Sequence, residues 1–306
     1  MIDGITFPDL RESTQGQRRI WLSLLVRGEV IMLKSVLAVV DNGDVAAPFL
    51  RTVARFAEAS GAHLEVAVLT PAPMTSPALA PFGALYVPEV VLMGDDAANV
   101  AKVHGALRDF GAARDVFGFH DDVAWLAGDL RRSRQVADII VLGALETWAT
   151  PWLRRRVAQT LIRASGTPLL ILPCDADITR VHRAILGWTP SPEATRALHA
   201  LIQLAEPDAV IDIVTVGDTL HQCEREKDAH GEVKRHLSRH GFTAQGHWIV
   251  NAENPPAETL TLYAKEQNAN LLVIGGFAHT RVRDIVLGGV TRDFVESSTV
   301  PILIVG

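Results

Sequence analysis

The residues best suited to chemistry gather around a glycine turn near the end of the sequence. The run Gly275-Gly276-Phe277-Ala278-His279-Thr280-Arg281-Val282-Arg283 joins two glycines to an imidazole and two guanidiniums. It is followed by Leu287-Gly288-Gly289-Val290-Thr291, with two more glycines and a hydroxyl. Glycine lets the backbone turn tightly and approach a ligand closely. A helix opening just after such a turn offers free N–H groups and a positive dipole end to an anion. Gly275, Gly276, Ala278, His279, Arg281, Gly288, Gly289 and Thr291 therefore read as a phosphate or anion cradle.

Other chemistry is weaker. His236 and His240 stand at i,i+4 with His230, Glu226 and Glu232 nearby, a spacing that can hold zinc. The run Glu224–His240 is charged throughout, so a solvated helix face is the expected reading and no metal is predicted. Arg131, Arg132 and Arg134, and the triplet Arg154-Arg155-Arg156, read as surface residues of an acidic chain, with an anion site at the triplet as the lesser reading because it falls in the helix after strand four. Trp188 reads as a core residue, with stacking on a ligand ring as its other use. Cys174 and Cys223 have no catalytic partner visible in the sequence. There is no Gly-x-Ser-x-Gly elbow, no Walker A loop and no Gly-x-Gly-x-x-Gly after the first strand. No general acid and base are paired, so catalysis is not expected.

The elements that position these residues come from an internal repeat. Ala137–Gly143 (ADIIVLG) is matched by Ala269–Gly275 (ANLLVIG). Pro168–Leu172 (PLLIL) is matched by Pro301–Val305 (PILIV), each after a helical stretch. Ser35–Asp41 (SVLAVVD) corresponds to Ala184–Thr189 (AILGWT), and Leu64–Leu69 (LEVAVL) to Ile211–Val216 (IDIVTV). Four matches in one order indicate a duplicated domain. Residues 1–31 are expected to lie outside it as an N-terminal extension, with one domain over 32–175 and the second over 180–306.

Continuous apolar runs of Val, Ile and Leu mark strands buried on both faces. Strands alternating with helices imply a parallel sheet with right-handed crossovers. The fold class is thus α/β: two tandem doubly wound, Rossmann-like domains, each with five parallel strands in the order 3-2-1-4-5. The first copy predicts strands at 34–41, 63–70, 114–119, 137–143 and 168–173, with helices at 45–60, 89–110, 122–134 and 151–165. The second predicts strands at 183–189, 209–217, 243–250, 270–276 and 300–305, with helices at 192–206, 220–240, 256–268 and 283–297. Prolines at 71, 73, 77, 81 and 88 exclude helix and central strand over 71–88, which reads as a surface loop, with a lid over the sheet's carboxyl edge as the other reading. Ligands of such sheets bind beyond the strands' carboxyl ends where the order reverses. Each copy then has two key positions: the residue ending strand one and the turn after strand four.

Residues 32–306 resemble a tandem universal stress protein. That family carries a Gly-x2-Gly-x9-Gly-Ser/Thr motif after strand four, where many members bind ATP, and an Asp ending strand one. The second copy is similar at Gly275 and Gly288, with Ala278 at the second glycine, Gly289 at the Ser/Thr position ahead of Thr291, and Thr189 at the Asp position. The first copy keeps Asp41 and Gly143, but Glu146 takes the second glycine's place and Arg156-Val157 that of the final pair. Loss of the Asp contact and the hydroxyl is worth about 2–4.5 kcal/mol, or about 30- to 1,000-fold in affinity. The resemblance implies a stress-response binding or signalling protein, with ATP or AMP and Mg as the cofactors to test, in the second copy before the first. Slow ATP hydrolysis in the second copy, or a scaffold without a small ligand, are the alternatives. It also implies pairing of the two fifth strands as an intramolecular pseudo-dimer, with a further homodimer open.

Composition bounds the partners. Among 306 residues, 48% are hydrophobic and 21% charged, as in globular domains. A net charge of −6 argues against binding driven by charge to nucleic acid or anionic membranes. Two cysteines make no disulfide framework, which fits a reducing cytoplasm. The most apolar short run near the start, 20–26, falls well short of the roughly 20 residues that span a bilayer.

Overall fold

A computed structural model describes residues 33–71, 89–121, 135–174, 176, 178–217, 219, 227–250, 253–276 and 289–306. The expected N-terminal extension 1–31, nearly all of the 71–88 loop and the helix expected at 122–134 lie outside the described residues.

Ten strands form one sheet. In the first half these are β1 (Ser35–Val40), β2 (His63–Pro71), β3 (Arg114–Asp121), β4 (Ile139–Gly143) and β5 (Leu169–Leu172). In the second they are β6 (Val181–Gly187), β7 (Ala205–Gly217), β8 (Thr243–Val250), β9 (Leu271–Gly275) and β10 (Ile302–Val305). The helices among the described residues are α1 (Ala47–Ser60), α2 (Glu89–Ala106), α3 (Pro151–Ala164), α4 (Pro192–Leu204), α5 (Lys227–Arg239), α6 (Pro256–Glu266) and α7 (Gly289–Ser297). Proline stands in the first turn of α1, α3, α4 and α6, where its fixed φ suits the helix and its missing N–H costs nothing.

The strand order is β3-β2-β1-β4-β5-β10-β9-β6-β7-β8. Read outward from the middle, each half has the expected order, and the pairs within each half are parallel. The single antiparallel pair joins β5 to β10, with Ile302 opposite Ile171, Leu303 opposite Leu170 and Ile304 opposite Leu169. Within the halves, Ile140 pairs with Leu169 and its repeat counterpart Leu272 pairs with Ile302. Leu169 and Ile302 are therefore equivalent, as are Leu170 and Leu303. The antiparallel pairing is symmetric about Leu170 and Leu303.

The central strands are buried on both faces, and the core divides into two layers. One face packs α1, α4 and α5 through residues such as Phe49, Leu50, Leu201 and Leu237. The other packs α3, α6 and α7 through residues such as Leu161, Leu260 and Phe294. Both layers draw on both halves, so the core runs across the β5–β10 seam.

Among the described residues, the second half departs from the sequence expectation at β6, which runs Val181–Gly187 and not 183–189, and more markedly at the next strand. β7 begins at Ala205, immediately after α4, and not at 209. Pro207 ends the helix early, since the residue before proline disfavours the helical region. The register then jumps: Val181 pairs with Ala205 but Arg183 with Val210. Asp208 takes a left-handed φ of 68° to absorb the extra residues.

Candidate functional site

A cavity of about 240 Å³ opens at the carboxyl ends of β6 and β9, the point where the strand order of the second half reverses. Its floor and walls are apolar: Trp188, Val214, Val216, Leu260 and Ile274. Thr189, Ser191 and Thr291 add hydroxyls, and Gly275 and Gly289 add bare backbone. No charged side chain lines it among the described residues.

The repeat explains why the space exists. Val36 pairs with Ile139 and Ala184 with Leu271, so Gly187 stands where the first half has Val39, and Trp188 where it has Val40. A Cβ on Gly187 would lie 3.0 Å from Ile274 Cγ2 and 3.3 Å from Leu260 Cδ1. Its absence leaves the floor low. Gly275 is needed for a different reason: a Cβ there would come within 2.6 Å of the Ala194 amide nitrogen, so the glycine lets the first turn of α4 close over β9. Ser191 caps α4, its hydroxyl accepting from the Ala194 N–H at 3.0 Å.

The wall carrying Trp188 is braced from behind. The Trp188 amide donates to the Val214 carbonyl at 2.8 Å, and its carbonyl accepts from the Thr215 hydroxyl at 2.7 Å. Thr215 has one proton to give, so the 2.8 Å contact with His230 must have the imidazole Nε2–H donating to Thr215 Oγ1. His230 is then the neutral Nε2–H tautomer, stacked on Trp248 at 4.5 Å between ring centres, and its buried Nδ1 has no partner among the described residues. Burial first, and the neighbouring His247 second, push its pKa down to about 4.

Of the residues singled out in the sequence, the cavity brings together Thr189, Gly275, Gly289 and Thr291. Gly276 lies elsewhere. It packs at the seam, where a Cβ would meet Ile162 Cγ2 at 3.1 Å and Ile304 Cγ2 at 3.4 Å, and its amide donates to the Val305 carbonyl at 2.7 Å. Ala278, His279, Arg281 and Gly288 are outside the described residues. Among the described residues, no group of three His, Cys, Asp or Glu is placed to hold a metal ion. His236 and His240 stack edge to face at 4.8 Å, with His199 5.8 Å from His236.

The corresponding position in the first half is filled by the chain itself. Asp41 is 4% exposed. Its carboxylate accepts from the Ala149 amide at 3.0 Å, the Thr150 amide at 2.6 Å and the Asn42 side chain at 2.7 Å. Ala149 and Thr150 immediately precede α3, so the carboxylate sits on N–H groups that an anion would otherwise take. Gly143 has Thr147 Oγ1 where a Cβ would be, with the Phe49 ring 3.0 Å away. Asn42 in turn accepts from the Val45 and Ala46 amides ahead of α1.

The triplet Arg154–Arg156, expected at the surface, divides. Arg155 and Arg156 are exposed, but Arg154 is 1% exposed. It lies on the buried stripe of α3 with Val157, Ala158 and Leu161, at the i+3, i+4 and i+7 spacing of one helix face. That spacing was the available signal, masked by the two charged neighbours. Its Nε donates to the Gly143 carbonyl at 2.7 Å, and Nη1 to the Val295 carbonyl of α7 at 2.5 Å. Burial lowers its pKa to about 10, with Glu146 acting in the opposite sense, so the guanidinium stays charged at neutral pH.

The sequence model of the universal stress protein family matches residues 181–306, the half that holds the cavity. Residues 181–306 are thus similar to the universal stress protein family. A curated universal stress protein from Synechocystis sp. is 27% identical over 146 residues, 47% of this chain. The chain spans about half the length of that relative, 49%. A universal stress protein from Archaeoglobus fulgidus shares the fold over 90% of this chain and 98% of its own, with a TM-score of 0.65 at 14% identity. A protein of unknown function from Pseudomonas aeruginosa does so over 90% and 93%, with a TM-score of 0.55 at 14% identity. The universal stress protein fold thus extends over both halves, while the family's sequence signature matches the second.

Proposed function

We propose that this is a stress-response binding protein of the universal stress protein type, built as two repeats over 32–175 and 180–306, that takes an adenine nucleotide in the second. The observation that carries this is the cavity beyond β6 and β9, where Thr189, Gly275, Gly289 and Thr291 meet an apolar floor. A flat apolar ring with a hydroxylated sugar suits that lining: the ring lies on Val214, Leu260 and Ile274, and the hydroxyls of Thr189, Ser191 and Thr291 serve the sugar. By residue type alone, His279 and Arg281, between Gly276 and Gly289 in the sequence, are the candidates to supply donors and positive charge to the phosphates, with Mg as the accompanying ion to test.

The first repeat takes no nucleotide in this reading, because Asp41 already holds the amides before α3. Its role is architectural. The symmetric pairing about Leu170 and Leu303 supports an intramolecular pseudo-dimer within one chain. Binding rather than turnover is the activity in this reading, with slow ATP hydrolysis in the second repeat as the alternative. Among the described residues no helix is long and apolar enough to cross a membrane; a cytoplasmic location accords with this reading.

The test is calorimetry of the full chain with ATP, ADP and AMP, together with mass spectrometry of small molecules released on denaturation. The expected result is one nucleotide per chain, weakened by Arg281→Ala and by Thr291→Val. Two sites per chain, or binding abolished by Asp41→Ala with Arg281→Ala silent, would move the site to the first repeat. No binding at millimolar nucleotide would overturn the reading and leave a scaffold.

A further inference from the structure

Arg154 belongs to the first half, yet one of its two hydrogen bonds ends in the second. The helix it reaches, α7, walls the cavity with Gly289, Val290 and Thr291 in its first turn. The contact falls at the other end of that helix. Val295 is among the last four residues of α7, whose carbonyls have no partner within the helix. Arg154 Nη1 therefore caps the carboxyl end of α7 from the neighbouring half, where a positive charge also suits the helix dipole.

The other end of this linkage is Asp41. Its carboxylate fixes Ala149 and Thr150, the two residues that lead into α3. The first turn of α3 then presents Arg154, whose Nε is locked on the Gly143 carbonyl. A continuous set of hydrogen bonds and one rigid helix runs from the end of β1, through α3, to α7 and the cavity wall. Two further contacts tighten the same seam: Gly276 packs on Ile162 of α3, and the Gly306 Cα lies so near the Ile162 carbonyl that no side chain fits there.

We infer that Arg154 is a positioning residue for the second half's ligand site, holding α7 so that the first half completes a site it does not line. This rests on the reading that the cavity takes a nucleotide. A buried guanidinium that served general stability alone would loosen the whole seam when removed. One that positions α7 loosens that helix selectively and weakens the ligand with it.

The experiment uses the full chain with Arg154→Met, which keeps the stem and removes both donors, and Arg154→Lys, which keeps the charge. ATP affinity is measured by calorimetry, and amide hydrogen exchange is followed over α7 and over β9. The expected result for Arg154→Met is a loss of affinity of about tenfold, within the range typical of coupling between sites. Exchange should rise in α7 while β9 stays protected, with Arg154→Lys intermediate. Unchanged affinity with α7 still protected would overturn the inference, as would a uniform rise in exchange across α7 and β9. If the wild-type chain binds no ATP, the nucleotide reading fails by itself and the exchange of α7 against β9 decides the role of Arg154. If Arg154→Met does not fold, the Lys variant decides by the same two measurements.

Discussion

The Asp41 carboxylate lies 2.6 Å from the Thr150 amide and holds the chain ahead of α3 from more than a hundred residues away. Its second oxygen takes the Ala149 amide. Such charge-assisted bonds contribute about 1.5–3 kcal/mol each, and an amide in place of the carboxylate keeps one acceptor oxygen and loses the other. Asp41→Asn should therefore destabilise the chain by about that amount in urea unfolding, because the new NH₂ group faces donors. The same change should leave the number of nucleotides bound at one per chain. A second nucleotide appearing in Asp41→Ala would show that the carboxylate was excluding an anion.

Gly187 is the residue that keeps the cavity open, since its counterpart Val39 is fully buried in the first half. Gly187→Val restores that residue. Overpacking against Ile274 and Leu260 costs about 1–3 kcal/mol, offset by about 0.5–1 kcal/mol from removing a strand glycine. The expected outcome is a folded chain, destabilised by about 1–2 kcal/mol, that no longer binds nucleotide. Retained affinity in this variant would place the ligand elsewhere.

The sheet was legible in the sequence because strands buried on both faces are unbroken apolar runs, and the two copies reinforce each other. The helices expected from 151, 192 and 256 begin at those residues, each a proline. The candidate site was legible at Thr189, Gly275, Gly289 and Thr291, through the repeat and the strand-end rule. What escaped was contact between distant segments. Nothing in the spacing of Asp41 announces Ala149, and Gly276 reads as part of a turn until Ile162 is placed against it. Arg154 was hidden by composition, since three consecutive arginines look solvated although one falls on the apolar stripe. The early start of β7 depended on Asp208 adopting positive φ, which the sequence permits without requiring.

His230 gives the chain a defined acid response. Its pKa is lowered from the ordinary value of 6.5 to about 4 in the folded state. The unfolded chain thus binds a proton between those values while the native chain does not. Stability from this residue is full above pH 6.5 and falls as the pH drops toward 4. His236 is pushed down as well, by burial first and then by His240, His199 and Arg239, and acts in the same sense. Urea unfolding of wild type and His230→Leu at pH 7 and pH 5 separates the effects. The variant should be weaker at pH 7, having lost the bond to Thr215, yet lose less on acidification. An equal pH dependence in both chains would assign the acid response to other groups.

The β5–β10 seam carries the last prediction. Leu169, Leu170, Ile302, Leu303 and Ile304 are fully buried, and each half offers its fifth strand to the other. A lone strand of this composition at a sheet edge would invite pairing with another chain, so the antiparallel match removes a hazard as well as burying apolar surface. Leu303→Ala should cost about 2–5 kcal/mol, because the cavity opens in a two-sided core that cannot collapse. Ile302→Lys combined with Ile304→Lys is more severe, since the ammonium groups have no buried partner and the pairing itself is broken. That double variant should expose β5 and aggregate, or appear as an oligomer in size-exclusion chromatography with light scattering. A monomer with the unfolding midpoint of the wild type would show that the two halves hold together without this pair, through the helices α3 and α7 alone.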